Sequence, residues 1–403
     1  MKRFFARLAV AVLSVAVIAC YGATTASAEI GVTDDTIMFG TFQDMSGPAA
    51  YLGKMCTAAL SIWQKYVNEE LGGIHGRKVK LAVEDNKYDP VLTKTAFAKL
   101  VHQQKVFGLL TIYGSSPCTA ILDDLKKEKI PAVATVASVQ TMFDPPNRYM
   151  FWYAANGQDE GILFVDYVMN DLKAKDPKIG ICYQEDEWGK DGLQGVEMAC
   201  KKYGLPAPVA APYKRGSKSL SAEVMKLKTS GVTHCFYVGY APVYAALLKE
   251  ADKIGWKPVF FGDFVSVDPR TFIAEDLADG HYHIFSWGLR SEQGPGWKKM
   301  EELFNAAGAK ELLNVPLMPA IWVPLLLTTK ALQDCGKDLT REKFIDAVEK
   351  TQNFDTGGMG MIGYGPNMRK GTKYYRVLKA DAKQKLFLPV TDWREPSLVW
   401  GKR

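Results

Sequence analysis

Residues 105–135, KVFGLLTIYGSSPCTAILDDLKKEKIPAVAT, read as strand, helix and strand with almost no chain spent on the joins. Residues 106–112 form an apolar run of the kind expected for a strand covered on both faces. Tyr113-Gly114-Ser115-Ser116-Pro117 is turn chemistry and opens a helix that ends near Lys129. Residues 132–135 are the next strand. The same rhythm lies upstream. A strand at 36–42 passes through a turn-rich loop, 43–53, to a helix at 57–70 that carries Ala58, Ala59, Ile62, Trp63, Tyr66 and Val67 at helical spacing. A strand at 78–84 and a helix at 90–103 complete the block. Alternation of this kind implies a parallel sheet with helices on both faces.

The rhythm restarts near residue 158. Helices at 161–173, 189–203, 219–229 and 242–254 are each followed by a strand, at 178–183, 208–213, 234–238 and 259–261. Residues 149–155 between the blocks hold no Gly/Ser linker, so an extended crossing between two lobes is expected there. The last third reads differently, with helices at 296–307, 322–334 and 340–350, a glycine-rich stretch at 357–371, and a hairpin at 374–378 and 386–389. The apolar run 317–327 contains Pro319 and Pro324 and is too short to span a bilayer, so it reads as a buried helix start.

Residues 1–28 have the form of a secretory signal peptide. Lys2, Arg3 and Arg7 precede an apolar core at 8–19, and Ala26-Ser27-Ala28 is an A-x-A cleavage site. Val17-Ile18-Ala19-Cys20 resembles a lipoprotein processing box, which would tether the chain through Cys20, but the A-x-A site is the better formed. The chain of 403 residues carries a formal charge of +6. Removing 1–28 takes three basic residues and no acidic one, leaving 375 residues and a net +3. Runs such as Lys126-Lys127-Glu128-Lys129 mix both signs, so no basic stripe for a nucleic acid emerges.

Catalytic and metal signatures are missing. Gly358-Met-Gly360-Met-Ile-Gly363 fits G-x-G-x-x-G but stands neither after a strand nor before a helix. The five histidines are scattered, and no Cys/His cluster has metal-ligand spacing. The strand-to-helix junctions are the informative positions, because ligands of open parallel sheets bind at the carboxyl ends of strands. There the first block offers Ser46, Tyr51, Ser115, Ser116 and Ser138, and the second offers Trp188, Tyr240 and Phe264. Hydroxyls and free N–H groups suit a carboxylate, and aromatic rings suit a flat or apolar body.

Met45-Ser46-Gly47-Pro48 with Gly53, the stretch 68–76 (NEELGGIHG), Glu84-Asp85 with Asp89-Pro90, Gly114-Ser115-Ser116, Ile130-Pro131, Trp188-Gly189-Lys190-Asp191-Gly192 and Val238-Gly239-Tyr240 together resemble one family. It is that of the periplasmic leucine/isoleucine/valine-binding proteins, the type I solute-binding components of ABC importers. The resemblance covers residues 30–400 and implies an α/β fold of the periplasmic binding protein type I class, two Rossmann-like lobes with three hinge crossovers. Lobe one would be 29–153 and 286–366, lobe two 154–285 and 367–403, with crossings near 153, 285 and 366. By that resemblance Ser115 and Ser138 would hold a ligand carboxylate, with Trp188 and Tyr240 opposite. The family's acid for an ammonium group is expected where Phe264 stands, and Asp263 is one place away. A buried ammonium without a counter-charge is costly. The departure therefore turns the expected ligand from an α-amino acid toward an aromatic or other apolar carboxylate, with Tyr51 and Trp322 adding rings around the cleft. Tyr88 and Gly114 stand where the family has a disulfide, and a replacement bridge is expected between Cys56 and Cys118.

The function implied is capture of a small carboxylate in the periplasm for an ABC permease, by a monomer with no catalytic activity, cofactor, metal or nucleic acid. The alternative is a branched-chain or other amino-acid or amide binder. A secreted enzyme on the same scaffold is more remote, since no His sits at a junction. Asp263 decides between the first two: pointing into the cleft it favours an amino acid, and pointing out it favours an amine-free acid.

Overall fold

The computed structural model describes residues 29–398 except Ser138 and Ala154. The expected signal peptide, Cys20 and Ser138 therefore lie outside the described residues. The chain builds two sheets. The first contains β1 (Thr36–Gln43), β2 (Lys78–Asp85), β3 (Gly108–Ile112), β4 (Ala132–Thr135) and β5 (Met150–Tyr153) in the order β2-β1-β3-β4-β5, all parallel. Between these strands run α1 (Ala50–Lys65), α2 (Pro90–Ala98) and the short α3 (Ser115–Ala120) and α4 (Leu122–Glu128).

The second sheet contains β6 (Ile179–Gln184), β7 (Val209–Tyr213), β8 (His234–Val238), β9 (Val259–Gly262), β10 (Tyr282–Phe285), β11 (Arg376–Asp381) and β12 (Leu386–Pro389). Its order is β12-β11-β10-β9-β8-β6-β7, parallel from β7 to β10 and antiparallel for the last two. Its helices are α5 (Gly157–Asn170), α6 (Glu187–Lys202), α7 (Ser221–Thr229) and α8 (Ala241–Lys253). Both strand orders place a topological switch at the carboxyl ends of the strands beside β1 and β6.

Local chemistry accounts for most of the element starts. Asp89 accepts from the N–H groups of Val91 and Leu92 at 2.8 and 2.9 Å and opens α2. Asn156 and Asp186 cap α5 and α6 in the same way. Two of the departures from the sequence reading have a visible cause. α1 begins at Ala50 inside the expected loop, because the Asp44 carboxylate takes the N–H groups of Gly47 and Ala49 and folds the preceding turn. Residues 150–153, expected as a bare crossing, form β5: their unbroken apolar run lies fully buried against β4.

The last third covers the first sheet. α9 (Pro295–Ala306), α10 (Met318–Asp334) and α11 (Arg341–Lys350) precede the glycine-rich turns. Trp63 Nε1 of α1 donates to Thr329 Oγ1 of α10 at 2.8 Å, and Thr135 Oγ1 of β4 donates to Ala320 O. Arg341 caps the strand approach by donating to Val106 O and Phe107 O. The chain passes between the sheets after β5, after β10 and before β11. At the third passage Arg369 and Gly371 are still bonded to Trp152 of β5. β5 is thus bonded along both its edges, to β4 on one side and to this passage on the other.

Candidate functional site

The two sheets face each other across the carboxyl ends of their strands, and residues from both sides close on one cavity. Its lining is Leu52, Tyr88, Tyr113, Ser115 and Val136 from the first side, and Trp188, Tyr240, Phe264 and Val265 from the second. The internal volume is about 10 Å³, room for about one water. Rings fill the rest. Trp188 lies edge-on to Tyr240 at 5.4 Å and tilted to Phe264 at 6.4 Å, while Tyr88 and Tyr113 meet at 6.1 Å. Phe264 is backed by Trp287, which lies on the second passage between the sheets.

Among the described residues, no charged side chain lines this cavity. Its polar groups are the Ser115 hydroxyl, the tyrosine hydroxyls and the Trp188 indole. Burial pushes the pKa values of Tyr88, Tyr113 and Tyr240 up, so all three keep their protons and can donate. Tyr113 spends its hydroxyl on Ala49 O at 3.1 Å, and Tyr240 bonds Tyr88. Trp188 is 3% exposed and its Nε1 has no hydrogen-bond partner. A buried donor left unpaired is uncommon in a native interior. Val136 holds a φ of 45°, a strained setting for a β-branched residue, in the loop directly after β4.

Ser115, Trp188, Tyr240 and Phe264 thus come together around one cavity. Other expectations need correction. Asp263 is fully buried and is not part of the cavity lining: its Oδ1 caps the next turn by accepting from Ser266 N at 3.1 Å, and its Oδ2 has no hydrogen-bond partner. It faces Glu160, whose Oε1 accepts from Phe264 N at 2.8 Å. Burial first, then the neighbouring carboxyl, pushes Glu160 well above the usual range; burial does the same to Asp263. Tyr51 stands one layer out, edge-on to Tyr240 at 6.1 Å and covered by the Arg270 guanidinium. Ser116 donates across the cleft to Glu187. Trp322 is not at the cleft; it packs edge-on to Phe304 between α9 and α10, because α10 turns its apolar face into the first-side core. Cys56 and Cys118, expected to bridge, are free thiols. Burial raises both pKa values, so they act as small apolar core groups.

Sequence reasoning missed Leu52, Tyr88, Tyr113, Val136 and Val265. A signal existed for three of them. Tyr113 and Val136 directly follow β3 and β4, and Tyr88 stands just before the Asp89 cap. All three stand where a strand of the first sheet gives way to the next element, the same kind of position that Ser115, Trp188, Tyr240 and Phe264 occupy.

Two α/β lobes with a ring-walled cavity buried between their strand ends define a two-lobed solute-binding protein. The sequence profile of the family described as "periplasmic binding protein" matches residues 36–385, and the chain belongs to that family. A relative in Pseudomonas aeruginosa, the leucine-, isoleucine-, valine-, threonine- and alanine-binding protein, is 24% identical over 339 residues, covering 83% of this chain and 87% of that one. Among solved structures, the fatty acid ABC transporter substrate-binding protein of Thermomonospora curvata superposes with a TM-score of 0.81 at 22% identity, over 92% of this chain and 95% of the other. A branched-chain amino acid ABC transporter protein of Thermus thermophilus with bound valine gives 0.82 at 20%, over 92% and 98%. The fold is that of type I periplasmic binding proteins, and the chain is a periplasmic substrate-binding component of an ABC transporter.

Proposed function

We propose that this protein captures an amine-free, apolar or aromatic carboxylate between its lobes and hands it to an ABC permease. The lobes are taken as 29–153 with 286–366 and 154–285 with 367–403, hinged at the three passages, and the working form as a monomer. The observation that carries the reading is the orientation of Asp263. It caps its own turn and faces Glu160, so a bound ammonium would meet no counter-charge in a cavity lined by aromatic and apolar groups. Two donors supplied from opposite lobes support a carboxylate: the Ser115 hydroxyl and the unpaired Trp188 Nε1. Ligand contacts to both lobes favour the closed state, which is the differential affinity that closure requires. Because rings fill the closed cavity, a ligand enters when the lobes part and the rings repack around it.

A thermal-shift series with phenylacetate, octanoate, leucine and phenylalanine tests the proposal. The two amine-free acids are expected to raise the melting temperature in a concentration-dependent way, and the two amino acids to leave it unchanged. A larger shift with leucine than with either acid overturns it in favour of an amino-acid binder.

A further inference from the structure

Several contacts join the lobes around the cavity, and two share one chemistry. Arg270, in the turn after β9, lies with its guanidinium 3.4 Å from the centre of the Tyr51 ring. Arg215, between β7 and α7, lies 5.1 Å from the centre of the Tyr88 ring and donates from Nη1 to Tyr88 O at 2.8 Å. Both arginines come from the second lobe and both tyrosines from the first. Arg270 is itself fixed from below: its Nε and backbone N–H donate to Asp268 Oδ1 at 2.7 and 2.8 Å, and Nη2 donates to Oδ2. Asp268 is 3% exposed, so this carboxylate is a rigid mount. A planar guanidinium can hold a carboxylate in its plane and an aromatic ring on its face at once, which an ammonium cannot. The Tyr51 hydroxyl is buried without a hydrogen-bond partner, so the ring rather than the hydroxyl is what the fold uses.

We propose that Arg270 on Tyr51 and Arg215 on Tyr88 are a pair of lip latches, in which the two arginines are positioning residues that set how firmly the lobes close while lying outside the cavity wall. The proposal deepens the solute-binding reading and rests on its hinged lobes. The two latched rings are tied to the cavity: Tyr88 is part of its wall, and Tyr51 abuts Tyr240. A solute that leaves both rings in place gains the latches, and one that displaces either ring forfeits them. Selection by ligand shape therefore operates at the lips as well as in the pocket.

Spin labels at Lys54→Cys on α1 and Lys190→Cys on α6, both exposed positions, report the distance across the cleft. Cys335→Ser removes the one thiol that is not fully buried among the described residues. Distances are measured in the full chain with no solute added and with phenylacetate. Without solute, Arg270→Ala is expected to lower the closed fraction at least threefold, Arg270→Lys to restore little of it, and Tyr51→Phe, which keeps the ring, to retain it. Tyr51→Leu is expected to match Arg270→Ala, with the double variant no worse than either. An unchanged distribution in Arg270→Ala overturns the latch, as does an additive double variant or a Tyr51→Phe that opens as far as Arg270→Ala. Thermal midpoints of each variant within a few degrees of the parent show that folding is intact. Failure of phenylacetate to close any variant, parent included, rejects the ligand class while the solute-free distances still decide the latch.

Discussion

Ser115 and Trp188 face the cavity from opposite lobes, and their chemistry is the most direct handle on binding. A hydrogen bond to an ionised carboxylate contributes about 1.5–3 kcal/mol. Ser115→Ala is accordingly expected to weaken binding of the solute more than tenfold in titration calorimetry, with the melting temperature of the free protein little changed. Trp188→Phe keeps most of the ring packing and removes only the indole N–H, so a comparable loss is expected there. Unaltered affinity in both variants rejects the site. At this scale the sequence was legible where position alone matters. Ser115, Trp188, Tyr240 and Phe264 each stand at the carboxyl end of a strand, and each is in the cavity wall. It was illegible where direction matters. Asp263 and Phe264 are neighbours, but which one faces the cleft depends on Glu160, brought up by α5 to hold Phe264 N.

The seam between α5 and α6 shows how elements are placed. A methyl group at Gly195 would lie 2.2 Å from Gln158 O, and one at Gly161 would lie 2.6 Å from Gly192 O. The two helices therefore meet backbone to backbone, and α6 carries Trp188 at its first turn. Gly195→Ala forces them apart and is expected to cost about 1–3 kcal/mol, as overpacking of a tight interior does, read as a lower urea midpoint. Solute affinity should fall with it, since Trp188 moves with the helix. Wild-type stability in this variant contradicts the packing. Caps and apolar runs made most elements readable from the sequence, because Asp89, Asn156 and Asp186 act within their own turn. The start of α1 was not readable that way: the N–H groups of Gly47 and Ala49 in the turn before it depend on one carboxylate, Asp44, that any loop could contain.

At the scale of the molecule, the passages between lobes are held by buried charge. Lys370 pairs with Asp159 at the start of α5, and Tyr375 Oη donates to the same carboxylate at 2.9 Å. Lys370→Met leaves Asp159 buried without its cation and is expected to destabilise the protein by about 3–5 kcal/mol in chemical denaturation. A loss below 1 kcal/mol would show that the pair is dispensable. Asp191 gives a pH signature. It is buried in α6, accepts from Gln140 N of the opposite lobe at 3.0 Å, and burial raises its pKa to about 7. In the unfolded chain an Asp ionises near about 3.9. The folded state therefore holds an extra proton between these values, and stability is full below them and falls as pH rises toward 7. Glu160 and Asp263 act in the same direction and the buried His281 and His283 in the opposite one, so the signature is a difference: between pH 5 and 7 the melting temperature should fall less in Asp191→Asn than in the parent. A pH dependence identical to the parent's in Asp191→Asn contradicts the assignment.

The sequence by itself determined the alternation of strand and helix, the two-block order and the junctions between strand and helix. Those follow from periodicity and from caps that act over a few residues. Only the tertiary structure decided that Tyr88 and Tyr113 complete the cavity wall, that Trp322 belongs to the core, and that Asp263 caps its own turn outside that wall. Each of those outcomes rests on partners far along the chain, Arg215 for Tyr88, Phe304 for Trp322 and Glu160 for Asp263. A side chain's direction is set by the packing of whatever the fold brings against it, and that is fixed when the lobes assemble.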